Sequence, residues 1–336
     1  MSKSMIMKLG AAVCVIALCV CCVSIGGHAF LGGFRYADAG KYTAGAAVID
    51  GDVKKLDIHW TDGAVEFVER AGDGIELTET AQKPISGNAQ LRWWLDGDTL
   101  RVQYAKNGFF SLTSLNKTLT VALPEGMALE DVRVDATSAD VKAPGLTADA
   151  VAVGLTSGDL ELELTGPADS VALSGTSGDL HATLQSAKTV SAGTTSGAID
   201  LALAGASDGV ALSSTSGDIR AELGDVKALT AGSTSGAIRV TAGAAGQAAL
   251  DSTSGDITAQ FAAFDELKIS ATSGGVTAIL PEEPGFTAHV DTTSGDFDSV
   301  IPLKRDGDTY ACGDDRAQLK IDTTSGDVRL EALKAD

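Results

Sequence analysis

Ala211-Leu212-Ser213-Ser214-Thr215-Ser216-Gly217-Asp218-Ile219-Arg220-Ala221-Glu222-Leu223 is the stretch that decides the fold of this chain. Apolar residues alternate with polar or small ones on both sides of Thr215-Ser216-Gly217-Asp218. Alternation at period two is the pattern of a strand with one buried face, so the tetrad reads as a corner between two short strands. The same tetrad, or a close variant, begins at Thr137, Thr156, Thr176, Thr195, Thr215, Thr234, Thr253, Thr272, Thr293 and Thr324, at intervals of 19, 20, 19, 20, 19, 19, 19, 21 and 31 residues. The fifth and third residues before each Thr are apolar, as in Val151 and Val153, Val210 and Leu212, or Leu319 and Ile321. The fourth and sixth after it are nearly always apolar too, as in Leu160 and Leu162, Ile199 and Leu201, or Val328 and Leu330.

Self-similarity at this period marks a stacked solenoid, in which each repeat buries its apolar face only against its neighbours. The expected fold is therefore all-β: a right-handed parallel β-solenoid with coils of 19 to 20 residues, the hand following from that of parallel crossover connections. Ten coils at about 4.8 Å each give a rod of roughly 50 Å. Within the tetrad, parity from the preceding strand points Ser inward, which predicts a ladder of buried, mutually bonded hydroxyls at positions such as Ser157, Ser177, Ser196 and Ser216. Glycine in nine of the ten copies suggests a turn that needs positive φ, with Ala139 as the exception. From the third copy the next position runs Asp179, Ala198, Asp218, Ala237, Asp256, Gly275, Asp296. Skipping alternate carboxylates separates like charges by about 10 Å, near the screening length. These Asp residues read as caps of the turn. The glycine-paired nonapeptide of calcium-binding β-rolls has half this period and is missing, and no second Thr row accompanies the first.

The 336 residues carry a formal charge of −20, with 44% hydrophobic residues but only nine Phe, three Trp and four Tyr. Such an acidic chain repels a phosphate backbone, which excludes a nucleic-acid binder. Its apolar residues are mostly small, which suits many thin layers better than one thick core.

Residues 1–33 read as a short cytoplasmic tip and a transmembrane anchor. No charged side chain occurs from Leu9 to Phe34, and Leu9 to Ile25 is almost wholly apolar, long enough for a spanning helix of about 20 residues. Lys3 and Lys8 place the start inside and the remainder outside. The alternative is a cleaved signal with Gly27-His28-Ala29 at the cleavage site; both export the rest. Cys14, Cys19, Cys21 and Cys22 lie in this apolar run, and none follows the small residue that a lipoprotein signal requires. Cys312 is left without an intramolecular partner outside, so no disulfide framework is expected.

Residues 34–136 lack the tetrad but keep strand alternation, as in Leu56-Asp57-Ile58-His59-Trp60 and Leu100-Arg101-Val102-Gln103-Tyr104, punctuated by Asp62-Gly63, Asp73-Gly74 and Asp96-Gly97 turns. All three Trp, Trp60, Trp93 and Trp94, fall here, as expected of an N-terminal cap with irregular first coils that closes the open core; a separate ligand-binding domain around Trp93 and Trp94 is the alternative. Residues 137–336 form the tetrad solenoid. Its long last interval predicts a projecting acidic loop, in the form of a hairpin, near 302–317.

The search for chemistry returns no catalytic, cofactor-binding or metal-ligating residues and no assignable binding residues. His28, His59, His181 and His289 follow no ligand spacing. The outward positions after the tetrads, including Glu161, Glu163, His181, Asp200, Arg220, Glu222 and Arg239, form a mixed surface in which Asp200 and Arg220 are expected to pair. Sugar-cleaving clefts need paired carboxylates and stacking rings. No aromatic residue occurs from Ser111 to Gln260.

The Lys55-Leu56-Asp57-Ile58 strand, the Leu119-Thr120-Val121-Ala122-Leu123-Pro124 strand, the reiterated corners ending at Thr324 to Val328 and the anchor together resemble the bacterial putative-adhesin family of β-strand-repeat surface proteins, a domain-of-unknown-function family. The similarity covers nearly everything after residue 45. It implies a right-handed parallel β-solenoid at the cell envelope and supplies no catalytic residues; some relatives look like components of envelope-stress systems that respond to membrane-active antimicrobials. The expected function is that of a single-pass, non-enzymatic cell-surface module, adhesin-like or scaffolding. Its expected partners are the membrane through the N-terminal helix and an envelope protein, a glycan or a cationic peptide; no cofactor is expected. The alternative is an envelope-stress regulator that captures a cationic peptide or membrane partner on its acidic surface.

Overall fold

The computed structural model describes residues 38–85, 87–105, 115–283, 285–313 and 316–334. The proposed anchor, residues 1–33, lies outside them; among the described residues no helix is long and apolar enough to cross a membrane. Twenty-three strands join into one continuous sheet that winds as stacked coils. Strand Leu180–Ser196 shows the rule. It pairs in parallel with Leu160–Ser177 on one side, Leu180 opposite Leu160 and Val190 opposite Val171, and with Ile199–Leu203 and Ser207–Ser214 on the other. Each coil thus has two flat sides and two corners, one of which is the tetrad. Inward residues before and after the tetrad, such as Val210, Leu212, Ile219 and Ala221, are buried in a single core that runs the length of the stack.

The corner differs from its expected form in one respect. Thr and Ser are both exposed, and the tetrad Ser residues form no inward ladder. Alternation fails because the chain bends at the tetrad, so the last inward position is the residue before Thr. There Ser214, Ser233 and Ser252 are buried, and each Oγ accepts a hydrogen bond 2.8 Å long from the backbone N–H of its own tetrad glycine, Gly217, Gly236 and Gly255. The Asp residues do act as caps, but across coils. Asp179 Oδ1 accepts from Ala198 N, Asp218 from Ala237 N and Asp256 from Gly275 N, each at 2.8 Å. Alternation of Asp with a small residue leaves one carboxylate for every second N–H in this stretch.

Positive φ accounts for only the early glycines, Gly158, Gly178 and Gly197. The general reason is contact between coils. A Cβ on Gly217 would stand 1.6 Å from the Gly197 carbonyl oxygen, and one on Gly236 or Gly326 would stand 2.0 Å from the carbonyl below it. Ala139, the copy without glycine, pairs with Gly63. That pairing exposes a hidden repeat. Thr61-Asp62-Gly63-Ala64 aligns with Thr137-Ser138-Ala139-Asp140, so Asp62-Gly63 is a coil corner rather than a hairpin turn.

At both ends the order of stacking departs from the order of sequence. The first coil, Lys55–Arg70, lies between residues 131–142 on one side and residues 99–103 and 117–124 on the other. Antiparallel strands Ile75–Ala81 and Arg92–Asp96 cover the outer edge of the latter, followed by Ala47–Ile49 and Thr43–Ala44. At the far end the last coil, Ala317–Ser325 with Val328–Ala332, is inserted between Ile257–Ser273 with Val276–Leu280 and Gly285–Ser294 with Phe297–Ser299. Residues 304–313 form a hairpin, but it does not simply project. Its strand Thr309–Gly313 pairs with Gly285–Ser294 and buries Cys312 opposite Phe286, with the thiol 3.5 Å from the Glu282 carbonyl. The outermost strand, Lys304–Asp306, is fully exposed and charged, which discourages pairing with other sheets.

Two substitutions separate these roles. Gly217→Ala is expected to cost about 3 kcal/mol or more, because neither backbone can give way, whereas Gly209→Ala, with nothing within 4 Å of its Cβ, should leave the thermal melt nearly unchanged. Ser233→Ala should cost about 1 to 2 kcal/mol for the lost acceptor, and Ser216→Ala almost nothing; equal losses would restore the Ser216 ladder.

Candidate binding surfaces

The alternation that builds the core also paves two outward faces. One follows the tetrads and carries Lys142, Glu161, Glu163, His181, Asp200, Arg220, Glu222 and Arg239. Asp200 and Arg220 are register neighbours, yet no ion pair joins them among the described residues; Arg239 instead approaches Asp218 at 4.0 Å. The other face precedes the tetrads. Over six coils it presents Ala150, Ala152 and Gly154; Ser170, Ala172 and Ser174; Thr189, Ser191 and Gly193; Gly209, Ala211 and Ser213; Ala228, Thr230 and Gly232; and Gln247 and Ala249, in register. The register partner of Gly232 on the sixth coil is the exposed Asp251; none of the others is charged.

A charge ladder borders this second face at the second corner. Register places Asp169, Lys188, Asp208 and Lys227 in one column, flanked by Asp149 and Gly246. Lys188 meets Asp169 at 2.5 Å and Lys227 meets Asp208 at 2.6 Å, all four side chains being more than half exposed. The hydrogen bond each lysine donates to its aspartate, followed by the aspartate's charge, raises the lysine pKa, and the bond from Lys227 lowers that of Asp208. The ladder was not among the expected features. Its signal is the seventh residue before each tetrad Thr.

Beyond the ladder lies a groove of about 620 Å³, running from Lys188 toward Arg316. Its floor contains Val226, Ala245 and Phe264, and its end is walled by Pro281 and Phe286 where the chain crosses to the outermost coil. The Phe264 and Phe286 rings stand 6.0 Å apart.

The N-terminal coils hold the densest network. Lys117 is fully buried, its Nζ 2.7 Å from Glu79 and 2.8 Å from the Ala89 carbonyl, beneath the rings of Trp60 and Tyr104. Burial lowers the Lys117 pKa against the pull of Glu79 and pushes Tyr104 up to about 12. Trp60 closes the core, as expected, and donates to the Lys117 carbonyl at 2.9 Å. On the outer side of the same coils His59 sits 3.1 Å from Asp57 and 3.4 Å from Asp135. Arg101 bridges Asp57 and Asp96 beside Trp94, and Tyr42 meets Trp94 edge-on at 5.7 Å. These rings belong to the cap and pack as part of it. Among the described residues no group of three or more His, Cys, Asp or Glu is placed to hold a metal.

A family model described as Toastrack DUF4097 matches residues 53–241 and 206–331. No curated protein matches the chain. Solved structures of similar fold include two described as putative adhesins. One, from Parabacteroides merdae, has 16% identity, a TM-score of 0.42 and coverage of 88% of this chain and 98% of its own. The other, from Parabacteroides distasonis, has 13% identity, a TM-score of 0.43 and the same coverages. A third, also from Parabacteroides distasonis, is described as a putative lipid binding protein and has 17% identity, a TM-score of 0.42 and coverage of 88% and 98%.

His59 gives a pH test of the N-terminal network. Burial opposes its charge, but the hydrogen bond to Asp57 and the charges of Asp57 and Asp135 outweigh burial and the opposing Arg101, raising the pKa above 6.5. On Asp57 burial acts upward and is overcome by His59, Arg101 and Arg133, while burial raises Asp135. A raised histidine contributes stability fully below its unfolded pKa and loses it as pH rises through the folded value. Melting temperature is therefore expected to fall from about pH 6 to about pH 8, and the fall should shrink in His59→Gln; an unchanged slope would dissociate it from His59.

Proposed function

The chain belongs to the Toastrack DUF4097 family, and from that premise we propose that it is a non-enzymatic binding or scaffold module of the bacterial cell envelope. In this reading residues 9–25 hold it in the membrane and the solenoid stands outside. The observation that carries the reading is the pairing of a stiff, continuously bonded stack with two extended surfaces, a flat face of small residues that is uncharged over five coils and an elongated groove, each crossing several coils. Rigidity without a cluster of reactive groups at either surface suits recognition better than turnover. Coil-to-coil bonds already use the polar groups of the corners: the Asp caps accept from neighbouring backbones, and Ser235 N and Ser254 N donate to Thr carbonyls below them.

Acidity favours a second reading. Without Lys3 and Lys8 the exported part carries −22, and the consecutive corner carboxylates Asp140, Asp159 and Asp179 are exposed on adjacent coils. A surface of that kind attracts cationic peptides at a distance and loses them to salt.

Capture of partners from intact membranes by the tagged full chain, at low and high salt, distinguishes the two. An envelope protein or glycan retained at high salt is the expected result. Retention of cationic peptides at low salt only would favour the stress-sensing alternative, and an empty capture at both salts would leave a plain stalk and defeat the proposal.

A further inference from the structure

The face that precedes the tetrads, uncharged over its first five coils and ending in Asp251 on the sixth, contains glycines that the monomer does not need. A Cβ on Gly209 would meet nothing within 4 Å, and one on Gly232 only the Asp251 carbonyl oxygen at 3.9 Å. Neither has the left-handed φ that favours glycine. Tetrad glycines, by contrast, are fixed by carbonyls at 1.6 to 2.3 Å. Glycine inside a strand sacrifices packing and backbone entropy, and where the fold does not demand it, it marks a place where another backbone comes close.

The ladder beside this face says which backbone. Read along the stack, Asp169, Lys188, Asp208 and Lys227 run minus, plus, minus, plus. A two-fold axis parallel to the strands, passing between the coils of Lys188 and Asp208, reverses that order while turning the face onto itself. Asp169 then meets Lys227 of a second copy, and Lys188 meets Asp208, so every rung faces its opposite. The next rungs, Asp149 and Gly246, also meet without a like-charge clash. The same operation sets Ser191 against Ala211, Gly193 against Ser213 and Gly232 against Ser174. We propose that this chain forms a two-fold dimer through its small-residue face, with the alternating ladder as the self-complementary edge.

The dimensions suffice. Six coils at about 4.8 Å, with some five residues of strand on each, cover on the order of 500 Å² per copy, or about 1,000 Å² in the pair, the lower bound for a specific interface. An isologous contact of this kind closes on itself and leaves no site for a third copy. The opposite face cannot serve, since Glu161, Glu163, Arg220 and Arg239 hold a partner sheet away. The groove lies on the other side of the ladder, and Lys188, Asp208 and Lys227 form the rim that it shares with the proposed interface. The proposal goes beyond the binding role and does not depend on it, because a dimer is scored without any envelope ligand.

The test uses the full chain in its membrane, with a photoreactive phenylalanine analogue in place of Ala211. The expected result is a cross-linked band of twice the chain mass, with the adduct on residues 189–193 of the other copy. The same analogue at Ala202, on the charged face, should give none. Gly209→Leu with Gly232→Leu should abolish the band while leaving the melt of the fold nearly intact, since a Cβ at either outward position meets nothing closer than 3.9 Å within its own copy. Lys188→Asp with Lys227→Asp, and separately Asp169→Lys with Asp208→Lys, should each lose the band, and co-expression of the two should restore it. Cross-links only to other proteins, or a homotypic band indifferent to the charge reversals, would overturn the proposal.

Discussion

Close approach of one coil to the next at the tetrad corner is the constraint on which this structure depends. The carbonyl of each tetrad glycine occupies the space where a Cβ of the next would stand, at Gly178, Gly217, Gly255 and Gly326 alike. With that separation fixed, Asp Oδ1 atoms reach the backbone N–H groups of the coil above and the hydroxyls of Ser214, Ser233 and Ser252 fold back onto glycine N–H groups. The apolar rows then lie at the spacing of a parallel sheet, and Leu, Val and Ile contribute through burial against identical positions in neighbouring coils. No disulfide supports the described part of the chain, and none is required by a core that is continuous from Ile49 to Leu330.

Much of this was legible because the repeat says the same thing ten times. The strands, the corner and the core rows all follow from residues spaced at a constant interval. Three features were not legible, each for a physical reason. The inward hydroxyl sits two residues before the expected one, at Ser214 rather than Ser216, because parity counted from the strand fails where the chain bends. Thr61-Asp62-Gly63-Ala64 escaped notice because it stands 76 residues ahead of Thr137, its stacking neighbour. The position of the last coil could not be read at all, since the corners at Thr293 and Thr324 are chemically equivalent and either could stack on that at Thr272.

The candidate surfaces show the same division. That one face would be mixed and charged was visible in Glu161, His181, Asp200 and Arg220. The expected contact between Asp200 and Arg220 was not realised, since register neighbours at exposed positions gain little by meeting. The ladder of Asp169, Lys188, Asp208 and Lys227 is as periodic as the tetrads. It lies at a second corner where no residue type repeats, so its order appears only once the coils are stacked.

The insertion of the terminal coils between earlier ones bears on the timing of assembly. A solenoid stacked in sequence order can settle coil by coil as it is synthesised. Here Lys55–Arg70 cannot complete its pairing until residue 142 has been made. At the other end, residues 285–299 are made before Ala317–Ser325 and yet must take their place above it. The earlier segment therefore waits for the later one, or stacks first on the coil of Thr272 and has to leave again. Order of synthesis and order of stacking differ at both ends, so the coil that ends the rod is made before the one it rests on.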